Sequence, residues 1–169
     1  MTIADTLLAE FDQEARITRK FFDQLPADKL TWQPHPKSMT AGQLAYHMAV
    51  VPGRVVQIAQ QDEMPVPDFN RTNPQPASLQ EILNALDESI ATVKSILPTF
   101  TDEQMHATWR MTRDGQEVLA MPKVAVLRNI MLNHWYHHRG QLGVYLRLLG
   151  AKVPSAYGPS GDEAPDFLK

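Results

Sequence analysis

The sequence predicts an all-α protein: a four-helix bundle with a long crossover between helices 2 and 3 and a small hairpin before helix 4. Three observations predict it. Four stretches repeat apolar side chains at helical spacing, prolines punctuate the intervals between them, and capping residues stand at helix starts. At 169 residues the chain has the length of a single domain, 1–169, and can bury roughly two-thirds of its unfolded surface.

The first helix spans about Ile3 to Leu25. Ile3, Leu7, Phe11, Thr18, Phe22 and Leu25 line one side, Asp12, Arg16, Arg19 and Lys20 the other, and Pro26 ends it. Trp32 to Lys37 carries two prolines and reads as an extended connector. The second helix starts at a capping box, Thr40-Ala-Gly-Gln43, with Leu44, His47, Val51, Val55 and Ile58 on one side and a kink expected at Pro52-Gly53. Gln61 to Ala77, with Pro65, Pro67, Pro74 and Pro76, is the crossover. A second capping box, Ser78-Leu-Gln-Glu81, opens the third helix, which runs to Leu97 before Pro98. Asp114-Gly115 between two short alternating runs marks the hairpin. The fourth helix runs from near Pro122 to a C-terminal cap at Gly150, and Ala151 to Lys169 is an irregular tail laid over the bundle.

Composition narrows the chemistry. With no cysteine, a disulfide scaffold, a thiolate metal site, an iron–sulfur cluster and a cysteine nucleophile are all excluded. Any metal must be held by nitrogen or oxygen, and there are six histidines. The net charge of −3 and the lack of a basic run argue against nucleic-acid binding. The start shows no basic leader and no apolar stretch approaches a membrane span, so a cytoplasmic protein without membrane attachment is expected.

Helical phase sorts the histidines. With His134 at zero and about 100° per residue, Leu127 and Tyr145 fall near 20°, His138 near 40°, Gln141 near −20° and His137 near −60°. His134 and His138 therefore share the centre of the inward stripe one turn apart, the spacing at which one helix chelates one metal. On the second helix His47 lies at the edge of the apolar face, with Arg54 beside it. Each ring could be satisfied by its own core or rim partner. A shared divalent cation would satisfy all three at once, leaving each second nitrogen for a carbonyl or carboxylate. Trp135 occupies the place where a metalloprotease His-x-x-x-His helix carries its general-base glutamate, which disfavours protease chemistry. Three neutral ligands with a position open to solvent is a catalytic layout.

The neighbours have readings of their own. Gln141 could contact metal-bound water or cap a backbone group, and Tyr145 reads as core with its hydroxyl at the rim; these two are the catalytic candidates. Arg54 either holds an anionic substrate or turns to solvent at the kink, and Arg139 reads as an inter-helix or dimer ion pair. His137 flanks the site, His35 and His106 are exposed in loops, and Trp32 closes the core or lines the pocket mouth. Asp162 or Glu163 would be an acidic ligand only if the tail folds back; Met39, Met48 and Met131 fill core.

Leu30-Thr-Trp-Gln-Pro-His-Pro-Lys-Ser, Gly42-Gln-Leu-Ala-Tyr-His47, His134-Trp-Tyr-His-His-Arg-Gly-Gln141 and Pro154-Ser-Ala-Tyr-Gly-Pro together make the chain resemble the DinB family, with its YfiT-like relatives. The resemblance spans nearly the whole chain. It implies a helical bundle, commonly a homodimer, and a three-histidine site for zinc or nickel with His47, His134 and His138 as ligands. It also implies S-transferase chemistry with low-molecular-weight thiols, which a cysteine-free chain would need to take from outside. The expectation is a divalent-metal-dependent transferase or hydrolase acting on a small molecule. The alternative is a non-catalytic stress-response or binding module whose metal is structural or absent.

Overall fold

Thr2 opens the fold: its hydroxyl accepts from the Asp5 N–H while the Asp5 carboxylate accepts from the Thr2 N–H. This reciprocal cap starts α1 (Ile3–Phe22) in the structure, a computed structural model describing residues 1–68 and 72–168. α1 stops at Phe22 rather than Leu25 because Gln24 and Leu25 donate to the carbonyls of Phe21 and Phe22, tightening the chain into Pro26. The capping box at Thr40 and Gln43 starts α2 (Ala41–Gln60), which is helical through Pro52. Beside that proline, the Gly53 N–H donates to Ser89 Oγ at 2.7 Å. A Cβ at Gly53 would lie 3.0 Å from that oxygen, so the glycine is what lets α2 and the next helix approach here. That helix is α3 (Leu79–Ile96). Ser78 Oγ caps it as expected, but the Glu81 carboxylate accepts from Ala77 N instead of closing the box on Ser78. Short α4 (Asp102–His106) follows, so His106 ends a helix turn rather than lying in a loop, though it is exposed as anticipated.

An all-α assignment is incomplete. The protein is mostly helical but carries a three-stranded sheet, β1 (Glu63–Pro65), β2 (Thr108–Arg113) and β3 (Gln116–Pro122), in the order β1-β2-β3. β2 and β3 form the expected hairpin, with Asp114 at φ 52° and Gly115 at φ 77° making its tight turn. β1 comes from the segment read as a plain crossover and pairs parallel to β2, Met64 opposite Met111. Three residues ending in proline give no strand periodicity; the pairing arises only because β2 lies alongside.

The last helical run is continuous from Lys123 to Leu148: α5 (Lys123–Val126), a π-helical segment (Leu127–Asn133) and α6 (His134–Leu148). Pro122 precedes it as the last residue of β3. At its end Gly150 takes φ 73°, its N–H donating to the Arg147 carbonyl and that of Ala151 to Leu146, the double closure that needs a residue tolerant of the left-handed region. The tail is irregular apart from a short turn at Asp166–Leu168.

α2 packs along α3 and against α6, and α1 packs against α3 and α6. Between them lies the core: Phe11, Phe22, Leu44, Met48, Ile82, Leu86, Leu127, Met131 and Trp135 are fully buried, and Trp109 of β2 seals the end beside the sheet. Phe11 stacks on Trp135 with ring centroids 5.3 Å apart, fixing α6 to α1 between the two histidines of its first turns. Among the described residues, no helix is long and apolar enough to cross a membrane.

Candidate metal centre

α2 and α6 bring His47, His134 and His138 together. One ring nitrogen from each lies within 4.8 Å of the others, and among the described residues no carboxylate joins the group. The ring centroids of His47 lie 5.2 Å from His134 and 4.8 Å from His138, in edge-on arrangement. His134 and His138, one turn apart on α6, set their Nε2 atoms 2.8 Å from each other. At that distance either one ring donates to the other or both present lone pairs to a shared cation. His138 Nδ1 faces Gln141 Oε1 at 2.7 Å. His134 Nδ1 is buried and lacks a partner in hydrogen-bond geometry.

The π segment shapes this corner. The His134 N–H donates to the Asn129 carbonyl five residues back, as π geometry requires, rather than to Ile130. That leaves the Ile130 carbonyl bearing on the His134 ring. The wider turn also means that uniform 100° phasing does not carry through Leu127–Asn133. Leu127 is nonetheless fully buried, and His134 and His138 keep the expected spacing because both lie in regular α6.

Burial is the main cause that pushes His47 and His138 down from 6.5 to about 4. For His47 the neighbouring rings and the Arg54 charge add to it, while a hydrogen bond with Asn73 opposes it. For His138 the bond to Gln141 works against the burial. His134 is lowered too, first by burial and then by the adjacent His137, with the Ile130 carbonyl opposing. All three are therefore neutral near pH 7 and able to act as ligands. Three neutral imidazoles converging this closely could hold a divalent cation.

The neighbouring residues resolve one by one. Gln141 turns its amide to the His138 ring rather than to a backbone group. Tyr145 is half-buried, donates to the Met39 carbonyl at 3.1 Å and meets Trp32 edge-on at 5.6 Å, so those two aromatics brace each other. Arg139 makes an inter-helix pair, its Nη2 lying 2.5 Å from Glu14 Oε2 with both side chains buried. Arg54 is exposed, and His137 is exposed with its ring 5.0 Å from that of His138. His35 is exposed and its Nδ1 accepts from Lys37 N. Met48 and Met131 are core as expected, and Met39 is half-buried. Asp162 and Glu163 are not ligands: they accept from Val153 N and Ser155 N and pin the tail, Asp162 pairing also with Arg147.

Sequence reasoning missed two features. Asn73, from the crossover, reaches His47, and Gln43 holds it by donating to its carbonyl at 2.9 Å. Nothing local marks an asparagine in a proline-rich stretch. Glu14, by contrast, had a visible signal: it falls between Phe11 and Thr18 on the apolar stripe of α1, where a carboxylate demands a partner. Its partners are Arg139 and the Tyr157 hydroxyl, and the Arg139 guanidinium lies 5.4 and 5.2 Å from the rings of Tyr136 and Tyr157.

Known proteins share the sequence pattern and the fold. The chain is 28% identical over 165 residues to the uncharacterized protein YrdA of Bacillus subtilis strain 168, covering 96% of this chain and 93% of that one. Its fold matches the crystal structure of a DinB-like protein from Bacillus cereus ATCC 10987 at a TM-score of 0.71 and 24% identity, over 90% of this chain and 97% of that one. It also matches the DinB-like protein YjoA of Bacillus subtilis, at a TM-score of 0.69 and 20% identity over 89% and 96% of the two chains. The sequence model of the DinB family matches residues 1–165, so that this chain, with its mostly helical fold and three converging histidines, belongs to the DinB family.

Proposed function

We propose that this protein holds a divalent cation, zinc or nickel, through His47, His134 and His138 on a four-helix-bundle frame. In this reading it is a transferase or hydrolase acting on a small molecule. The observation that carries the reading is the convergence of three neutral imidazoles from two helices within 4.8 Å, with no carboxylate among them. When bound there, a cation whose charge the ligands do not neutralise supplies Lewis acidity, lowering the pKa of a water or thiol brought to it. The chain's own part is positional. Trp135, stacked on Phe11, anchors α6 between His134 and His138, and Gln43 and Asn73 brace His47 from the crossover side. Tyr145 donates to Met39, which leaves its hydroxyl oxygen able to accept from a bound molecule. With no cysteine in the chain, a sulfur nucleophile would come from a low-molecular-weight thiol. A cytoplasmic homodimer, without nucleic-acid or membrane partners, completes the reading.

Elemental analysis of untagged protein tests it. About one divalent ion per chain is expected, lost in His134→Ala. No metal in the native protein, together with an unchanged melting curve for the triple His→Ala variant, would overturn it. Metal-dependent turnover in a screen of thiols against electrophiles would establish the enzyme; a loaded protein silent throughout favours the binding module.

A further inference from the structure

Gln141 occupies an unusual place for an exposed helix residue. Its Oε1 lies 2.7 Å from His138 Nδ1, three residues earlier on α6, at the ring nitrogen opposite the one that faces His134. A carbonyl oxygen can only accept, so this contact requires the His138 proton to be on Nδ1. An unrestrained neutral imidazole carries its proton mainly on Nε2, the nitrogen that here sits 2.8 Å from His134 Nε2. The hydrogen bond on one nitrogen of a histidine decides what the other can do.

We propose that Gln141 is a positioning residue that selects the Nδ1–H tautomer of His138 and so keeps the Nε2 lone pair turned toward His47 and His134. Burial strengthens the selection. His138 is buried, so water competes poorly for Nδ1, and a neutral ring has only the two tautomers between which to choose. The geometry at His134 is compatible. In the stripped protein its Nε2 can donate to the His138 Nε2 lone pair, which leaves the His134 Nδ1 bare and without a partner. The consequence for metal affinity rests on the three-histidine reading; the tautomer itself does not.

The test separates the two. Protein with 15N-labelled histidine, stripped by chelator near pH 7.5, is examined by long-range 1H–15N correlation. In the wild type, His138 should show a protonated Nδ1 and a bare Nε2. Gln141→Leu keeps the bulk and removes the acceptor, and should move the proton to Nε2. Gln141→Glu restores an acceptor and should return it to Nδ1. The position is exposed, so an unchanged amide spectrum is expected to show that all three proteins fold alike. Zinc titration should then give binding weakened about 10- to 100-fold in Gln141→Leu and largely retained in Gln141→Glu. A wild-type His138 protonated on Nε2, or a Gln141→Leu spectrum with the tautomer unmoved, overturns the proposal. If the tautomer moves as described and no variant binds zinc, the proposal stands and the metal reading falls.

Discussion

His47 and His138 are neutral because the fold takes them out of water, and that couples the site to stability. Unfolded, each titrates near 6.5; folded, near about 4. Between those values the unfolded chain binds more protons, so stability is lost as pH falls from 6.5 toward 4 and recovered as it rises. The urea midpoint of chelator-treated protein should drop over that window, and a His47→Gln/His138→Gln variant should show a flatter profile. A wild-type midpoint that ignores pH there would contradict the burial. Glu14 and Arg139 give a second test. With side chains only 5% and 3% exposed, neither can turn to solvent once its partner is gone. Arg139→Met should cost about 3–5 kcal/mol in urea unfolding, and adding Glu14→Leu should recover much of it, since two apolar side chains leave no bare charge.

At the scale of elements, two glycines make opposite predictions. A Cβ at Gly53 would lie 3.1 Å from the Ser89 Cα, and backbone cannot swing away, so Gly53→Ala should destabilise by about 1–3 kcal/mol as α2 and α3 are forced apart. At Gly140, inside α6, a Cβ would meet nothing within 4 Å, so Gly140→Ala should stabilise by about 0.5–1 kcal/mol through helix propensity alone. Thermal melts of the two variants side by side distinguish a close approach from a mere absence of side chain. Most elements were legible because their instructions are local. Thr40 with Gln43, Ser78 before Glu81, Asp114-Gly115 and Gly150 each act within a turn or two of themselves. Short α4 went unread although Thr101 and Gln104 cap it locally, and two elements carried no local signal. β1 has no pattern of its own, and the π segment arises in an apolar run, Leu127 to Leu132, whose composition reads equally well as α-helix.

For the molecule as a whole, the three histidines bring α2 and α6 together across about half of the chain. A ligand that binds only that joined state should stabilise it, by about 2.7 kcal/mol at a hundredfold excess over its Kd. Zinc added to stripped wild type should therefore raise the melting temperature, and the same addition to His134→Ala should not. The sequence by itself determined the helices, the hairpin turn, the His134/His138 pair on one face of one helix and the absence of any thiol. These follow from backbone periodicity, caps and composition, which operate over a few residues. Only the tertiary structure decided that His47 reaches that pair, that Gln141 turns to a ring, that Asn73 arrives from the crossover and that Arg139 meets Glu14. β1 finding β2 belongs with them. Each depends on how closely two distant segments pack, and the core packing that fixes those distances is a property of the whole chain rather than of any stretch of it.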